Sequence, residues 1–397
     1  MKRARILVLA ITFLALSAVI VTSCASPSPT AQPTPTTAAP QPTVTVTSAP
    51  TAVPSPTTAA KPSKVWKLKY DDYAVATGPQ AMGGTFIFDY VAKRSGGRVE
   101  VEYFYSEALS KTGRQVYSIR DGIASGGFVA MGYTPTLFPM SLGMELTFIG
   151  NKPDAWARTC KELYDTYFPM RQEWAKLNMK LLAIQPQEPT VLVSKTPING
   201  PGDLKGKKIR GYGQKLDAIG RMGATPVSIA WAEVYTSLER GVIEGATGVP
   251  FTDGYKSKFY EVAPYWIETG MGINASNGWA INLELWNEFP DDIKALFEEA
   301  SDKVTGYLTE FVQAGYPDVL KTFQEKNVTM IVWSEAEQQK AREMVQPAQA
   351  EAWAKQAEAA GLVNPVEFYQ RLQDIYKSKA PSSTYKSAFQ LHAETKK

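Results

Sequence analysis

The feature that most constrains the fold is a repeated alternation of strand patterns with helical patterns. Apolar residues alternate over 65–70, recur at helical spacing over 78–93, and alternate again over 98–105. A helical pattern over 112–120 and an apolar run over 128–131 complete the set. A β-α-β-α-β order predicts a parallel sheet with helices on its faces.

A second set of patterns follows. Its predicted strands cover 190–193, 208–210, 224–227, 241–243 and 278–282. A long helix is predicted from Asp291 to Gly315, because apolar residues keep a 3.6-residue period after Pro290. Ser334 and Glu337 form a capping sequence for a later helix, which Pro347 should kink.

The first residues predict export from the cytoplasm. A basic start is followed by an apolar run from Ile6 to Val21, which is shorter than the roughly 20 residues of a membrane span. The run ends at Cys24, so we interpret 1–24 as a lipoprotein signal peptide with Cys24 as the lipidated residue. An ordinary signal peptide with an incidental cysteine is the alternative.

The next segment predicts a spacer. Residues 25–62 consist almost wholly of Ala, Pro, Thr, Ser, Gln and Val, with no charge before Lys61. Such a segment buries too little apolar surface to fold, so we expect a disordered tether that holds the folded part away from a membrane. A glycosylated stalk would act similarly.

The remaining length exceeds what one hydrophobic core usually holds. We predict α/β domain I over 63–188 plus 276–316, and α/β domain II with C-terminal helices over 189–275 plus 317–397. A cleft at the strand ends between two such domains suits ligand capture.

Composition excludes several functions. The 42 basic and 39 acidic residues are balanced and form no long basic stripe, so nucleic acid is not an expected partner. The one histidine, His392, falls in a tail that we expect to be frayed, and Cys160 falls in a helical pattern as a buried thiol. Histidine-dependent catalysis and metal chemistry therefore lack their residues. A phosphate loop is excluded by Pro201 and Lys208, which stand where its glycine and hydroxyl residue belong.

The segment 205–250 predicts a carboxylate site. Arg210 ends a short strand and enters a glycine-flanked turn, and Trp231, Glu233 and Tyr235 open a helix about twenty residues later. A fixed guanidinium beside aromatic walls is suited to holding a small carboxylate.

The same segment resembles one protein family. It contains KKIR, MGATPV and EVYTSLERGVIEG between Lys207 and Gly245, with SGGRVEV from Ser95, VYSIRDG from Val116 and AINLELWNEFP from Ala280. Over about 66–299 these ordered motifs resemble the solute-binding subunit of tripartite ATP-independent periplasmic (TRAP) transporters of the dicarboxylate type. The resemblance implies a two-domain, periplasmic-binding-protein-like α/β fold, with a ligand cleft between the domains and a long C-terminal helical region.

The resemblance also implies roles for individual residues. Arg210 matches the arginine that forms a salt bridge with the ligand carboxylate, and Trp231 matches the aromatic residue that packs over the ligand. Gln187 precedes a strand at a position that lines the family's cleft, and Glu233 and Tyr235 are expected to be structural. Further expected ligand contacts are Tyr212, Tyr73, Met131, Tyr133, Thr247 and Gly248.

One departure limits the comparison. Members that bind sialic acid carry Gln-Glu-Asn after the acidic-glycine pair, and members that bind keto acids carry Glu-Trp, whose Glu helps to hold a metal. This chain has Ala246-Thr247-Gly248, so neither a metal nor any other cofactor is expected. We expect a mono-carboxylate with an apolar or aromatic body.

The resulting prediction is a lipid-anchored, extracytoplasmic receptor that captures an organic acid and delivers it to membrane permease subunits driven by an ion gradient. One alternative is a tethered enzyme acting on carboxylates, with Glu233 and Tyr235 as acid and base. Another is an orphan receptor that signals to a sensor kinase.

Overall fold

The computed structural model describes residues 64–273 and 277–396. The predicted signal peptide at 1–24 with Cys24, and the whole predicted tether at 25–62, lie outside the described residues. Within the described ranges, no helix combines the length and the apolar character needed to cross a membrane.

The described strands form two sheets. They are β1 (Trp66–Asp71), β2 (Val99–Phe104), β3 (Gly126–Ala130), β4 (Met179–Ile184), β5 (Thr190–Ser194), β6 (Lys208–Gly211), β7 (Thr225–Ser228), β8 (Gly245–Pro250), β9 (Tyr265–Glu268), β10 (Asn277–Asn282) and β11 (Thr329–Val332). The first sheet has the order β2-β1-β3-β10-β4, and the second has the order β11-β9-β5-β8-β6-β7.

Both sheets are mixed, so the prediction of a parallel sheet holds for β1, β2 and β3 but not for the whole sheet. β1 pairs in parallel with β2 and β3, as the β-α-β order predicts. β10, however, pairs antiparallel with β3 and β4. It enters the first sheet from the second one, after β9, and no helical crossover fixes its direction.

The helices cover the sheets. They are α1 (Pro79–Arg94), α2 (Gln115–Arg120), α3 (Pro153–Thr166), α4 (Phe168–Lys176), α5 (Gly213–Arg221), α6 (Val234–Glu239), α7 (Phe251–Lys256), α8 (Leu283–Glu288), α9 (Asp291–Glu325), α10 (Glu335–Ala359), α11 (Pro365–Lys379) and α12 (Ala388–Thr395).

Helix α9 packs on both sheets. Its first half contributes Phe297 and Val304 to the core between α1 and the first sheet. Its second half contributes Tyr316 and Phe323 to a core cluster of the second sheet. α9 therefore connects the two sheets as one continuous element.

Several predicted boundaries are wrong. α9 passes Gly315 and continues through Pro317 to Glu325, because buried side chains of its last turns pack on the second sheet. The strand predicted at 241–243 is a turn, and Val242 is exposed; the strand is β8, which starts at Gly245. His392 lies in α12 rather than in a frayed tail.

The chain passes twice between the sheets. β4 leads to β5 through 185–189, and the return from β9 toward β10 is described from Thr269 to Ile273. The two crossings are bridged at Pro189 and Ile273, and the Thr190 amide donates to the Gly272 carbonyl at 3.0 Å. Gln187 lies in the first of these connections and Asn277 directly follows the second, and both side chains line the same cavity.

Candidate functional site

A cavity of about 320 Å³ is lined by residues from both sheets. Its volume is at the lower end of the range for small-molecule sites, so it suits a small ligand. Ring side chains supply much of the wall: Tyr73, Tyr133, Tyr212, Trp231, Tyr235 and Phe259.

Arg210, at the end of β6, lies beside this wall and is fully buried. Its Nε donates to the Ile229 carbonyl at 3.2 Å, and its Nη2 donates to the Tyr133 hydroxyl at 2.8 Å. Its Nη1 has no hydrogen-bond partner, and no acid of the described residues forms an ion pair with the guanidinium. A buried cation with an unused donor is complementary to a carboxylate.

The rings around Arg210 separate it from the cavity. Arg210 is not one of the lining residues, but its guanidinium carbon lies 5.2 Å from the ring centre of Tyr212 and 5.7 Å from that of Trp231. Tyr133 stacks on Tyr212 with ring centres 4.9 Å apart and an interplanar angle of 11°. A ligand therefore reaches the guanidinium only when these rings move.

Two amide side chains of the cavity have acceptor oxygens without a hydrogen-bond partner. Gln187 and Asn277 both line the cavity and are almost fully buried. Asn277 donates through its Nδ2 to the Tyr212 hydroxyl at 3.1 Å. Gln187 Oε1 and Asn277 Oδ1 accept no hydrogen bond from the described residues. Buried carbonyl oxygens usually have donors, so these two are available to a ligand.

Three acids lie near one corner of the cavity. Glu188 accepts from the Thr252 amide and hydroxyl, each at 2.8 Å, and from the Tyr316 hydroxyl at 2.7 Å. Asp72 accepts from Ala74, Tyr70 and Gln80, and burial raises the pKa of its carboxyl to about 7. Asp253, by contrast, lines the cavity without a side-chain hydrogen bond from the described residues.

Another buried cation, Lys215, lies close by and is paired differently. Its Nζ donates to the Met271 carbonyl at 2.8 Å. Burial lowers the pKa of Lys215 to about 7, and the nearby Glu145 carboxylate opposes that shift. Lys215 therefore has a partner inside the protein.

Most predicted contact residues line the cavity: Gln187, Trp231, Gly248, Tyr212, Tyr73 and Tyr133. Three do not: Arg210, which lies beside the ring side chains as described above, Met131 and Thr247. Met131 is fully buried in the core beside the first sheet. Thr247 is also fully buried, and its hydroxyl has no partner among the described residues.

Glu233 and Tyr235, which we expected to be structural, make different contacts. Glu233 precedes α6, but its side chain makes no capping hydrogen bond. Tyr235 packs against the core of the second sheet and donates to Glu261 at 3.0 Å, although it also lines the cavity.

Sequence reasoning missed several polar lining residues, among them Asp253 and Asn277. Asp253 occupies the first turn of α7, where an acid is common for helix stability alone. Asn277 begins β10, one residue before the predicted strand. A usable signal was their position: each follows or begins a strand at the point where the chain meets the cavity.

Among the described residues, this cavity has neither a metal-binding group of side chains nor a reactive thiol. No group of three or more His, Cys, Asp or Glu side chains in ranges 64–273 and 277–396 is placed to hold a metal ion. Cys160 is fully buried, and burial raises the pKa of its thiol, which disfavours the nucleophilic thiolate.

Comparison with known proteins places the chain among binding proteins. The model of a family described as bacterial extracellular solute-binding protein, family 7, matches residues 76–356. A solute-binding protein of Sulfitobacter sp. strain NAS-14.1 is 29% identical over 227 residues, or 56% of this chain and 67% of that protein. The ectoine-binding periplasmic protein TeaA of Halomonas elongata is 26% identical over 230 residues, or 56% of this chain and 65% of that protein.

The fold matches as well. A TRAP solute-binding protein from Rhodoferax ferrireducens, crystallised with copurified benzoate, superposes with a TM-score of 0.71 at 22% sequence identity. The match covers 80% of this chain and 99% of that one. The chain thus has the complete fold of that protein, whereas it spans about two thirds of the curated relatives' lengths in sequence.

Proposed function

The chain belongs to family 7 of the bacterial extracellular solute-binding proteins, and we propose that it captures an organic acid whose carboxylate binds Arg210. It is a TRAP-type solute-binding protein, so it binds a solute rather than converting it. The two-domain fold with its cleft agrees with the family fold.

One observation carries the proposal: the buried guanidinium of Arg210 has an unused Nη1 and no acidic partner in the described residues. Burying an unpaired charge opposes folding, so the charge needs a reason to be retained. A ligand carboxylate supplies the missing anion and accepts from Nη1. The bound benzoate of the Rhodoferax protein and the carboxylate-bearing ectoine of TeaA support this ligand class.

Binding requires the site to open. Tyr133 belongs to the first sheet's side and bonds to Arg210 of the second sheet. We infer that domain I (63–188 plus 276–316) and domain II (189–275 plus 317–397) separate to admit the ligand. That movement breaks the Tyr133–Arg210 hydrogen bond and frees Nη2, so that Nη1 and Nη2 together can bind a carboxylate in bidentate geometry. Gln187, Trp231, Tyr212, Tyr73 and Gly248 then surround the rest of the ligand.

The proposal includes the partners. The loaded receptor would dock on membrane permease subunits that use an ion gradient, as the TRAP family implies. Cys24 would carry the lipid, with 25–62 as the spacer that lets the receptor reach the permease. Metabolic labelling with an alkyne-tagged fatty acid tests the anchor: wild-type protein should be labelled and Cys24→Ser should not. A labelled Cys24→Ser variant would disprove the anchor at this residue.

Calorimetric titration tests the carboxylate site. Purified protein is titrated with benzoate and a panel of small carboxylates, and the best ligand is then titrated against Arg210→Met. We expect a loss of about 2–5 kcal/mol of binding free energy, the usual result of removing one partner of a buried charged pair. The matched control is Arg240→Met, because Arg240 is exposed. Equal affinity in wild type and Arg210→Met would refute the role of Arg210.

A further inference from the structure

The cavity contains more acceptor oxygens than the protein satisfies. Asp253, Gln187 and Asn277 all line it. The two amide oxygens, Gln187 Oε1 and Asn277 Oδ1, are buried without donors, and the Asp253 carboxyl accepts no side-chain or backbone hydrogen bond from the described residues. Unsatisfied acceptors in one small cavity indicate that the ligand brings donors.

Asp253 has an unfavourable electrostatic environment. Burial raises the pKa of its carboxyl well above the usual value, and the negative charges of Glu188 and Asp72 raise it further. Lys256, one turn later on α7, lines the same cavity but is exposed and forms no ion pair with Asp253. Glu107, the other acid in the wall, is paired with Lys111 at 3.2 Å and accepts from Thr112.

A purely structural role for Asp253 does not account for its position. An acid in the first turn of a helix normally stabilises the free amides of that turn. No amide of α7 donates to the Asp253 carboxyl. Its Oδ1 instead lies 3.3 Å from the position that a Cβ on Gly78 would occupy, at the start of α1. The side chain therefore extends across the cavity boundary toward the other sheet's helices.

Building on the proposed function, we propose that the ligand is a zwitterion: a carboxylic acid that also carries a protonated nitrogen, which binds Asp253 together with the oxygens of Gln187 and Asn277. An ammonium group has three N–H donors and no acceptor, which matches one carboxylate and two amide oxygens. A hydroxyl group offers one donor and no charge. The carboxylate end binds Arg210, and the ring side chains pack on the body between the two ends.

The inference refines the expected ligand. The sequence suggested a mono-carboxylate with an apolar or aromatic body, which leaves the Asp253 corner without a partner. A positive nitrogen supplies the missing donors and offsets the combined charge of Asp253, Glu188 and Asp72. The ligand is thus complementary to the cavity at both ends.

Matched probe pairs test the inference. Each pair shares a carboxylate and body, but only one member has an amine: para-aminomethylbenzoate with para-ethylbenzoate, and ε-aminocaproate with heptanoate. We expect at least one amine to bind wild-type protein about tenfold or more tighter than its nitrogen-free partner, which corresponds to one good charge-assisted hydrogen bond. Asp253→Asn should remove this preference, so that the two members of a pair bind with similar affinity. Glu107→Gln, the matched control, should keep it.

The outcomes separate the two proposals. Equal affinity within every pair, a preference that survives in Asp253→Asn, or no binding of any amine would overturn the zwitterion. If the nitrogen-free acids still lose affinity in Arg210→Met, the proposed carboxylate site at Arg210 is supported even though the zwitterion proposal fails. If para-ethylbenzoate binds equally well to wild type and Arg210→Met, the Arg210 anchor fails, while the amine preference can still be read from the Asp253 variant.

Discussion

The candidate site and the layer of side chains behind it can be compared through one cation and one acid in each. In the site, Arg210 Nη1 has no partner among the described residues, and the Asp253 carboxyl accepts no hydrogen bond from them. Behind the wall, Lys215 donates to the Met271 carbonyl and Glu188 accepts three hydrogen bonds. The two layers are close in sequence as well as in space, since Thr252, a partner of Glu188, precedes Asp253.

The difference between the layers shows what marks a binding site in this protein. Burial alone does not mark it, because Lys215 and Glu188 are as buried as Arg210. Charges behind the wall are satisfied and hold the structure together. Arg210 and Asp253 instead retain bonding capacity that a molecule from outside can use.

The largest expected effect concerns the two acids. Glu188→Ala leaves the Thr252 amide, the Thr252 hydroxyl and the Tyr316 hydroxyl without their shared acceptor. We expect the free energy of unfolding to fall by about 3–4 kcal/mol. Asp253→Ala is the matched variant and should change it by less than about 1 kcal/mol, because no internal bond is lost. Chemical denaturation of both variants measures this, and similar losses would erase the distinction between the layers.

A smaller effect concerns the hydrogen bond that joins Arg210 to the other sheet. Tyr133→Phe removes the acceptor of Arg210 Nη2 and should lower the free energy of unfolding by about 1–2 kcal/mol. Tyr73, whose ring lies 6.1 Å from that of Tyr133, makes no side-chain hydrogen bond within the described residues. Tyr73→Phe should therefore cost less than about 0.5 kcal/mol. If thermal and denaturant melts show equal losses, the hydroxyl bond contributes nothing specific.

The smallest effect is a pH dependence at the wall. The pKa of the Asp253 carboxyl is raised above its unfolded value, so the folded protein holds a proton that the unfolded chain has already lost. Its contribution to stability therefore decreases as pH rises from about 4. Asp253→Asn should match wild type at pH 4 and exceed it at pH 8 by about 0.5–1 kcal/mol.

An exposed aspartate provides the control for that titration. Asp302 lies on the solvent side of α9, and Asp302→Asn should follow wild type at both pH values. If the free energy of unfolding of Asp253→Asn changed with pH in parallel with that of wild type, the pKa of the Asp253 carboxyl would not be raised by folding.

The sequence predicted the cation of the site better than the acid. Arg210 sits in a long, ordered motif, and Trp231 follows at a family-like distance, so both were predicted by residue number. Asp253 lies beyond that motif in the first turn of a short helix, where an acid has an ordinary local explanation. The environment on which its proposed role rests is formed by Gly78, Glu188 and Asp72, which are distant in sequence and meet it only after folding.

Local patterns also predicted elements better than their ends and directions. The alternation over 65–70 and 98–105 gave β1 and β2, whose pairing is parallel as expected. The helix end predicted at Gly315 is wrong, because packing of Tyr316 and Phe323 on the second sheet outweighs the poor helix propensity of Gly315 and Pro317. The antiparallel direction of β10 follows from the crossing between sheets, which no local pattern contains.

Helix α9 limits how the two halves of the molecule can move relative to each other. A helix of 35 residues is a shaft about 52 Å long, and this one is anchored to one sheet at each end. Such a shaft resists sliding of one half past the other, because sliding would stretch it. Pro317 has no backbone N–H and so removes one hydrogen bond of the helix, and the helix therefore bends most easily there. The halves are therefore built to pivot, and side chains far from the shaft travel farther than those beside it.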